Sequence, residues 1–425
     1  MKLAVIGGGS TYTPELVAGL AREREKLDLS ELVLQDIDPE RREVVGGLAG
    51  RMLGAAGYDG ELLVTDELER ALDGASYVLI QLRVGGQAAR LKDETIPLAC
   101  GCIGQETTGA GGLGKALRTV PLVLEIAERV SELAADDAWI VDFTNPVGIV
   151  VRSLLDGGHR AVGLCNVAIG LQRFLARMLG VEPERVLVDQ VGLNHLTWVR
   201  AVHVDGDDVL PNLLAERADE LAEHVELPVS LLERLGAIPS YYLRYFYFHD
   251  DVLEEQRAGK PRAAEVAEIE GELLELYRDA ALTTKPALLE RRGGAYYSEA
   301  ATQLVAALAT GSGDVQVVDV RNAGTLPGLA VDDAVEVPAR IGADGPSPLP
   351  QPPLAPELLG LVQHVAAYEG LAAKAAVTGE RDLVYKALLA HPLVGQVPQA
   401  EELTEQLLAT GREHLPQFES REPVG

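Results

Sequence analysis

The sequence predicts an α/β fold, a Rossmann-type doubly wound parallel sheet followed by a mixed α/β, helix-rich C-terminal domain. Three observations predict it. Short apolar runs alternate with amphipathic helical stretches over the first 166 residues, the pattern of a parallel sheet. The first apolar run flows directly into Gly7-Gly8-Gly9-Ser10. After residue 166 the alternation breaks down, and long helical stretches become common.

Residues 2–6 read as a buried strand, and the glycines are followed by a helix over 14–22. A second strand spans 31–35 and ends at Asp36. Residues 39–56 are helical, with Pro39 suited to a first turn. Further strands are predicted at 77–81, 139–142 and 161–164, with helices over 114–134 and 149–155. Beyond them, 169–179 is helical and 186–192 and 198–204 are extended. Helices follow over 212–224, 263–280 and 298–310, then strands at 315–321 and 335–340. The proline-rich 346–353 reads as a stiff connector. Helices over 356–378, 381–390 and 401–414 close the chain. The expected division is a nucleotide-binding domain, 1–166, and a substrate, metal and oligomerisation domain, 167–425.

With 425 residues and 47% hydrophobic content, the chain is large enough for a substantial core. A net charge of −28 argues against nucleic acid and anionic membranes as partners, which require basic patches. A few local arginines are still enough to make one pocket attractive to a small anion. No apolar run approaches a membrane span, and the start lacks a signal-peptide pattern, so a cytoplasmic protein is expected. The three cysteines, an odd count, fit a reducing compartment. Cys100-Gly101-Cys102 lacks the two-residue spacer of common zinc and redox motifs and reads as part of a turn.

Glycines between a first strand and a first helix let the backbone approach a pyrophosphate. Here Gly7 and Gly9 are present, but Tyr12 stands where a third glycine would fall. Ser10 and Thr11 add hydroxyl donors, and Asp36 is placed to bond a ribose diol, which favours NAD over NADP. A glycine turn in a fold that holds no dinucleotide is the competing reading.

Phe143-Thr144-Asn145-Pro146 follows a strand, at the end where parallel sheets bind ligands. Asn145 is free there to bond a substrate or the nicotinamide, and an ordinary Asn-Pro turn reads equally well. Cys165 ends a strand just before a helix, and His195 ends Gly192-Leu193-Asn194-His195. A thiolate and an imidazole suit a borderline divalent metal. Taken singly, each reads more readily as a core thiol and a structural imidazole. Residues 83–94 carry Arg83, Arg90 and Lys92 and suit an anion, or else form a solvated helix paired through Asp93 and Glu94. Residues 104–112 read as a flexible polar flap. Tyr241 and Tyr242 open a tyrosine-rich stretch, and Pro261-Arg262 opens a helix with another potential anion contact.

Together these motifs resemble glycoside hydrolase family 4, the NAD- and metal-dependent glycosidases, over nearly the whole chain. The resemblance rests on Gly7–Ser10, Asp36-Ile37-Asp38, Arg83 to Glu94, Phe143–Pro146, Cys165-Asn166-Val167, Gly192–His195, Tyr242-Leu243-Arg244-Tyr245 and Arg262. Asn166 after Cys165 is similar to the 6-phospho-β-glucosidase branch; α-acting members tend to carry Asp there. That branch usually has proline where this chain has Ala168. The resemblance implies hydrolysis of 6-phospho-β-glucosides to glucose 6-phosphate by redox and elimination. NAD+ oxidises C3, a base removes the C2 proton, the aglycone leaves, water adds and the hydride returns. It implies Tyr242 as base, with Tyr241 as competitor. It implies Cys165 and His195 as ligands of Mn2+ or another divalent metal. Arg90, Asn145, Asn166 and Arg262 would contact a phosphorylated disaccharide or aryl β-glucoside 6-phosphate. It also implies a homodimer or homotetramer.

Two other readings stand beside it. A 2-hydroxy acid dehydrogenase shares the lactate/malate dehydrogenase-like architecture but has no use for Cys165 or the tyrosines. A non-catalytic NAD and sugar-phosphate sensor would bind both ligands without turnover.

Overall fold

The computed structural model describes residues 1–24, 26–293 and 296–419. Six strands form the parallel unit: β1 (Lys2–Ile6), β2 (Glu31–Gln35), β3 (Glu61–Thr65), β4 (Tyr77–Ile80), β5 (Trp139–Asp142) and β6 (Ala161–Gly163). Their spatial order is 3-2-1-4-5-6, all parallel, the doubly wound arrangement of dinucleotide-binding folds. β1 and β5 are buried almost throughout, as strands covered by helices on both faces must be. Order reverses between β1 and β4, so their carboxyl ends open a crevice at Gly7 and Gln81.

The sheet does not stop at β6. It continues through β11 (Val315–Arg321) and β12 (Ala334–Gly342) to β7 (Val186–Leu193), β8 (Leu196–Val204) and β10 (Ile238–Pro239). The junction is antiparallel, Asp319 of β11 facing Gly163 of β6. A side chain at Gly163 would lie 2.8 Å from the Asp319 Cβ, so glycine lets the two halves join. The short β9 (Asp207–Asp208) and β13 (Gly345–Pro348) pair with β8 and β12. The main hydrophobic cluster draws on both halves of the chain.

Several elements depart from the sequence expectation. β3 was not anticipated; its half-exposed Glu-Leu-Leu-Val-Thr lacks a strong apolar signal. The helix expected from residue 114 begins at Gly109 (Gly109–Leu133), so the second half of the expected flap is a buried first turn. A Cβ at Gly111 would lie 2.3 Å from the carbonyl oxygens of Asp93 and Gln105, so close packing overrides glycine's poor helix propensity. The helix expected over 212–224 is two, Leu210–Glu216 and Ala218–Val225. Residues 346–348 of the proline-rich stretch pair, within β13, as an edge strand, where missing N–H groups are tolerated.

Candidate active site

The crevice opens into a cavity of about 1050 Å³. Of the residues singled out in the sequence, Gly7, Ser10, Asp36, Arg90, Asn145, Asn166, Tyr242 and Arg262 line it. At the glycine turn, Gly7 has φ +87°, and a Cβ there would lie 2.5 Å from the Gln81 carbonyl oxygen. Gly9 donates its N–H to Asp36 Oδ2 at 2.8 Å, and a Cβ on it would lie 2.7 Å from that carboxylate. The turn is thus a backbone cradle that a side chain would fill, with an acid at the end of the second strand. Thr11 does not line the cavity. It is fully buried, its hydroxyl donating to Glu270 at 3.3 Å, because the chain is already entering the helix Thr13–Arg22.

Across the cavity, Asn145 follows β5 and has a buried side-chain Oδ1 with no hydrogen-bond partner among the described residues. Cys165 is the residue before the helix Asn166–Leu179 and is buried. Ala168 sits in the first turn of that helix, where a backbone N–H has no intrahelical acceptor, so alanine and proline serve alike in its hydrogen bonding. Asn194-His195 forms the tip of the β7–β8 hairpin, between the paired Leu193 and Leu196. His195 adopts φ +64° there. Its Nδ1 lies 3.1 Å from the Thr107 hydroxyl, leaving Nε2 as the nitrogen available for ligation. Burial, aided by Lys115, pulls the imidazole down to about 3, so it is neutral at working pH, the form that binds metals.

The Tyr242 ring stacks on His195 with centroids 3.8 Å apart and planes 5° from parallel. Ser240 caps the short turn Tyr241–Leu243 by accepting the Tyr242 N–H. Burial pushes the Tyr242 phenol well above its ordinary range, and neighbouring Cys165 adds to this. Cys165 is itself pushed up by burial and by Glu336, with the Val167 N–H and the Asn194 side chain acting in opposition. Asn194 also donates to Glu336 Oε2 at 3.0 Å. The cysteine, the hairpin tip and the phenol therefore share one neighbourhood. Tyr241 also lines the cavity, but its hydroxyl accepts from Arg244 at 3.3 Å.

The basic stretch is not a solvated helix. Arg90 lies on the helix Gly86–Ala99 and bonds Glu94 at 2.7 Å and Glu106 at 3.2 Å. Asp93 is buried against Arg118 at 2.7 Å. Glu106 also takes Arg83 and Lys115, the latter at 2.8 Å. Burial raises the Glu106 carboxyl, but Arg83, Lys115 and Arg90 outweigh it and hold it well below the usual carboxylate range. Three cations around two carboxylates, Glu94 and Glu106, leave this wall of an acidic protein locally positive. Arg262, at the start of the helix Arg262–Tyr277, pairs with Glu265 at 2.8 Å and is half-exposed on the rim.

Sequence reasoning missed Thr107, Glu106, Lys115, Asn194 and Tyr297. Tyr297 lines the cavity and packs on Phe143 at 5.7 Å between centroids. Asn194 lies within the quoted Gly192–His195 motif but was given no role; no local motif marks Lys115 or Tyr297, and polar side chains within a glycine-rich stretch were the available signal for Glu106 and Thr107.

Fold and cavity together define an α/β enzyme of the dinucleotide-binding class, its cavity lined by phenols, with a buried imidazole stacked on one of them and a buried thiol nearby. Residues 2–181 match the model of "Family 4 glycosyl hydrolase", and 190–394 that of "Family 4 glycosyl hydrolase C-terminal domain". The chain belongs to glycosyl hydrolase family 4. It is 40% identical to the "Probable 6-phospho-beta-glucosidase" of Bacillus subtilis (strain 168), covering 98% of each chain. It is similar to the structure of the Thermotoga maritima 6-phospho-beta glucosidase with manganese, NAD+ and glucose-6-phosphate. That match has a TM-score of 0.91 and 36% identity over 97% of this chain and 99% of that one. A 6-phospho-alpha-glucosidase from gut microorganisms, in complex with NAD and glucose-6-phosphate, matches with a TM-score of 0.87 and 26% identity, covering 98% and 99%.

Proposed function

We propose that this protein hydrolyses 6-phospho-β-glucosides to glucose 6-phosphate and the free aglycone, using NAD+ and a divalent metal such as Mn2+. The observation that carries the proposal is the stack of Tyr242, which lines the same cavity as Gly7 and Asp36, on the buried His195, with the buried Cys165 close enough to raise the Tyr242 phenol. The β-linkage is supported by Asn166 and by higher identity to 6-phospho-β-glucosidases, 36–40%, than to an α-acting relative, 26%.

The residues fit both groups. Gly7, Gly9, Ser10 and Asp36 would hold NAD+, with Asn145 at the nicotinamide end. Cys165 and His195 would hold the metal. Among the described residues no set of three or more His, Cys, Asp or Glu converges, so two protein ligands would leave positions open to substrate oxygens and water. When bound, NAD+ supplies a hydride acceptor for C3 and the metal a Lewis acid for the adjacent oxygens. Tyr242 would take the C2 proton as its phenolate; burial alone keeps the phenol protonated, so the positive charge of a bound metal and of NAD+ would have to lower it first. Asn145 offers its unpartnered Oδ1 to a sugar hydroxyl. Arg90 and Arg262 hold the 6-phosphate, and Asn166 lies beside the metal against the sugar. His195 is buried and Tyr242 half-buried at the cavity wall, which limits the access of bulk water to the proton transfer.

The same proposal includes the division at residues 166/167, a cytoplasmic location and a homodimer or homotetramer. Among the described residues no helix is long and apolar enough to cross a membrane. Val377, Leu389 and Val397, on or beside the last helices, expose 37–54% of their surface and are available to an interface. Sedimentation velocity tests the assembly.

The function is tested with p-nitrophenyl α- and β-glucosides and galactosides, each with and without a 6-phosphate, in the presence of NAD+, Mn2+ and thiol reductant. Turnover is expected for the β-glucoside 6-phosphate. Unchanged hydrolysis after NAD and metal are stripped would overturn the mechanism, and net NADH from a 2-hydroxy acid would point to the dehydrogenase reading instead.

A further inference from the structure

The nucleotide-binding turn of this chain lacks its third glycine, and the residue in its place meets a side chain from the other half of the chain. The Tyr12 ring lies under the guanidinium of Arg292, 5.5 Å from its carbon to the ring centroid. Arg292 belongs to the short helix Ala287–Arg292, far outside the βαβ unit. It is fixed in place by Glu270, whose Oε1 accepts from Arg292 Nε at 3.1 Å and from its terminal nitrogen at 2.9 Å. The same carboxylate takes Arg41 at 3.0 Å, Gln87 at 3.2 Å and the Thr11 hydroxyl at 3.3 Å. Arg262 holds the backbone of this segment by donating to the Arg291 carbonyl at 2.9 Å.

Tyr12, Arg41, Glu270 and Arg292 all line the cavity. Two guanidiniums share one carboxylate, with side chains of Arg292 and Glu270 only 17% and 6% exposed. Arg41, 30% exposed, also reaches Asp38 at 3.9 Å, which leaves Glu270 chiefly to Arg292, a poorly solvated guanidinium at the cavity wall beside the glycine turn. A guanidinium held by one carboxylate keeps further N–H donors for an anion, and poor solvation strengthens that contact. Nearby Arg83 adds to the positive field.

We infer that Arg292 is a cofactor-contacting residue, clamping the pyrophosphate of the dinucleotide from above the glycine turn, with Glu270 as the positioning residue that holds it there. The fork of a guanidinium matches phosphate oxygens, and the Tyr12 ring beneath it limits its freedom. The clamp ties dinucleotide binding to the C-terminal half, which the glycine turn alone does not.

This inference rests on the NAD+ dependence proposed above, and its test is a binding measurement that needs no turnover. NAD+, ADP, adenosine and glucose 6-phosphate are titrated into wild-type protein and Arg292→Gln, with folding checked by thermal melting. Arg292→Gln is expected to weaken NAD+ and ADP about tenfold or more, the scale of a lost charge-assisted contact. Adenosine and glucose 6-phosphate should bind as to wild type. If Arg292→Gln does not fold, Arg292→Lys keeps the charge without the fork and should weaken ADP severalfold. Unchanged NAD+ and ADP binding in a folded variant would overturn the inference, and so would a loss confined to glucose 6-phosphate, which would assign Arg292 to the sugar phosphate. A wild-type protein that binds NAD+ through Arg292 but hydrolyses nothing would refute the proposed function alone.

Discussion

Gly192 sits three residues before His195, opposite Thr197 in the β7–β8 hairpin and opposite Glu336 of β12. Replacing it with alanine puts a Cβ 2.1 Å from the Leu196 carbonyl oxygen and 3.0 Å from the Thr197 Cα. Both neighbours are backbone, so no side chain can swing away, and β8 must retreat by roughly 1 Å in a close-packed sheet. Overpacking of this kind costs about 1–3 kcal/mol. The φ of +147° adds about 1–3 kcal/mol for a residue with a side chain. The sum, about 2–6 kcal/mol, falls on the hairpin that carries His195. A displacement near 1 Å at a catalytic group lowers rate about 100-fold. Gly192→Ala should therefore lower the melting temperature, raise the Mn2+ concentration needed for half-maximal activity and cut kcat/KM about 100-fold. Gly271→Ala is the control. It lies on the helix Arg262–Tyr277 with open space around its would-be Cβ, so it should be neutral or stabilise by up to about 1 kcal/mol. Wild-type melting and Mn2+ titration in Gly192→Ala would refute the reasoning, because the hairpin would then be free to yield without moving His195.

Three further outcomes follow from the site. Cys165→Ser and His195→Ala should each abolish Mn2+-dependent hydrolysis and binding of Mn2+ followed by its magnetic resonance signal; full activity in either variant removes that residue from the metal site. Tyr242→Phe should reduce turnover about 10²–10⁴-fold and suppress solvent deuterium exchange at C2, while Tyr241→Phe, whose hydroxyl is engaged by Arg244, should leave exchange intact. Normal exchange in Tyr242→Phe would move the base elsewhere. The pH dependence of stability in the metal-free protein has two limbs. Glu336 and Glu369 are pushed up by burial to about 7 and about 8 from an ordinary 4.5. The stability they lend is full below about 4.5 and fades as pH rises through 7 and 8, because the unfolded chain releases those protons first. His195 and His391 are pulled down by burial to about 3 from 6.5, so their contribution is present above 6.5 and is lost as pH falls toward 3. Melting temperatures should peak between these limbs, and Glu369→Gln should flatten the alkaline one; a wild-type melting temperature still climbing from pH 6.5 to 8.5 would contradict this.

What the chain itself determines is the nucleotide-binding unit. Its strands are short runs buried on both faces, and such runs cannot satisfy their backbone or hide their side chains except in a covered parallel sheet. Gly7 and Gly9 are equally local, since the backbone turn and the neighbouring Asp36 permit no side chain there. Cys165, Asn166, His195 and Tyr242 could be named only because their motifs, taken together and in order, resemble those of one family; taken singly they read as ordinary core and structural residues. Their meeting is a tertiary matter. Thr107 and His195 are 88 residues apart, and Thr11 and Glu270 are 259 apart. No periodicity encodes such contacts. They exist because β11 adds to β6 and carries β12, β7 and β8 onto the same sheet, which brings the hairpin tip to the crevice. The buried first turn at Gly109–Gly112 and the cations gathered on Glu106 were decided the same way. Close packing and shared charge act between distant segments, and they override propensities that the local sequence expresses only weakly.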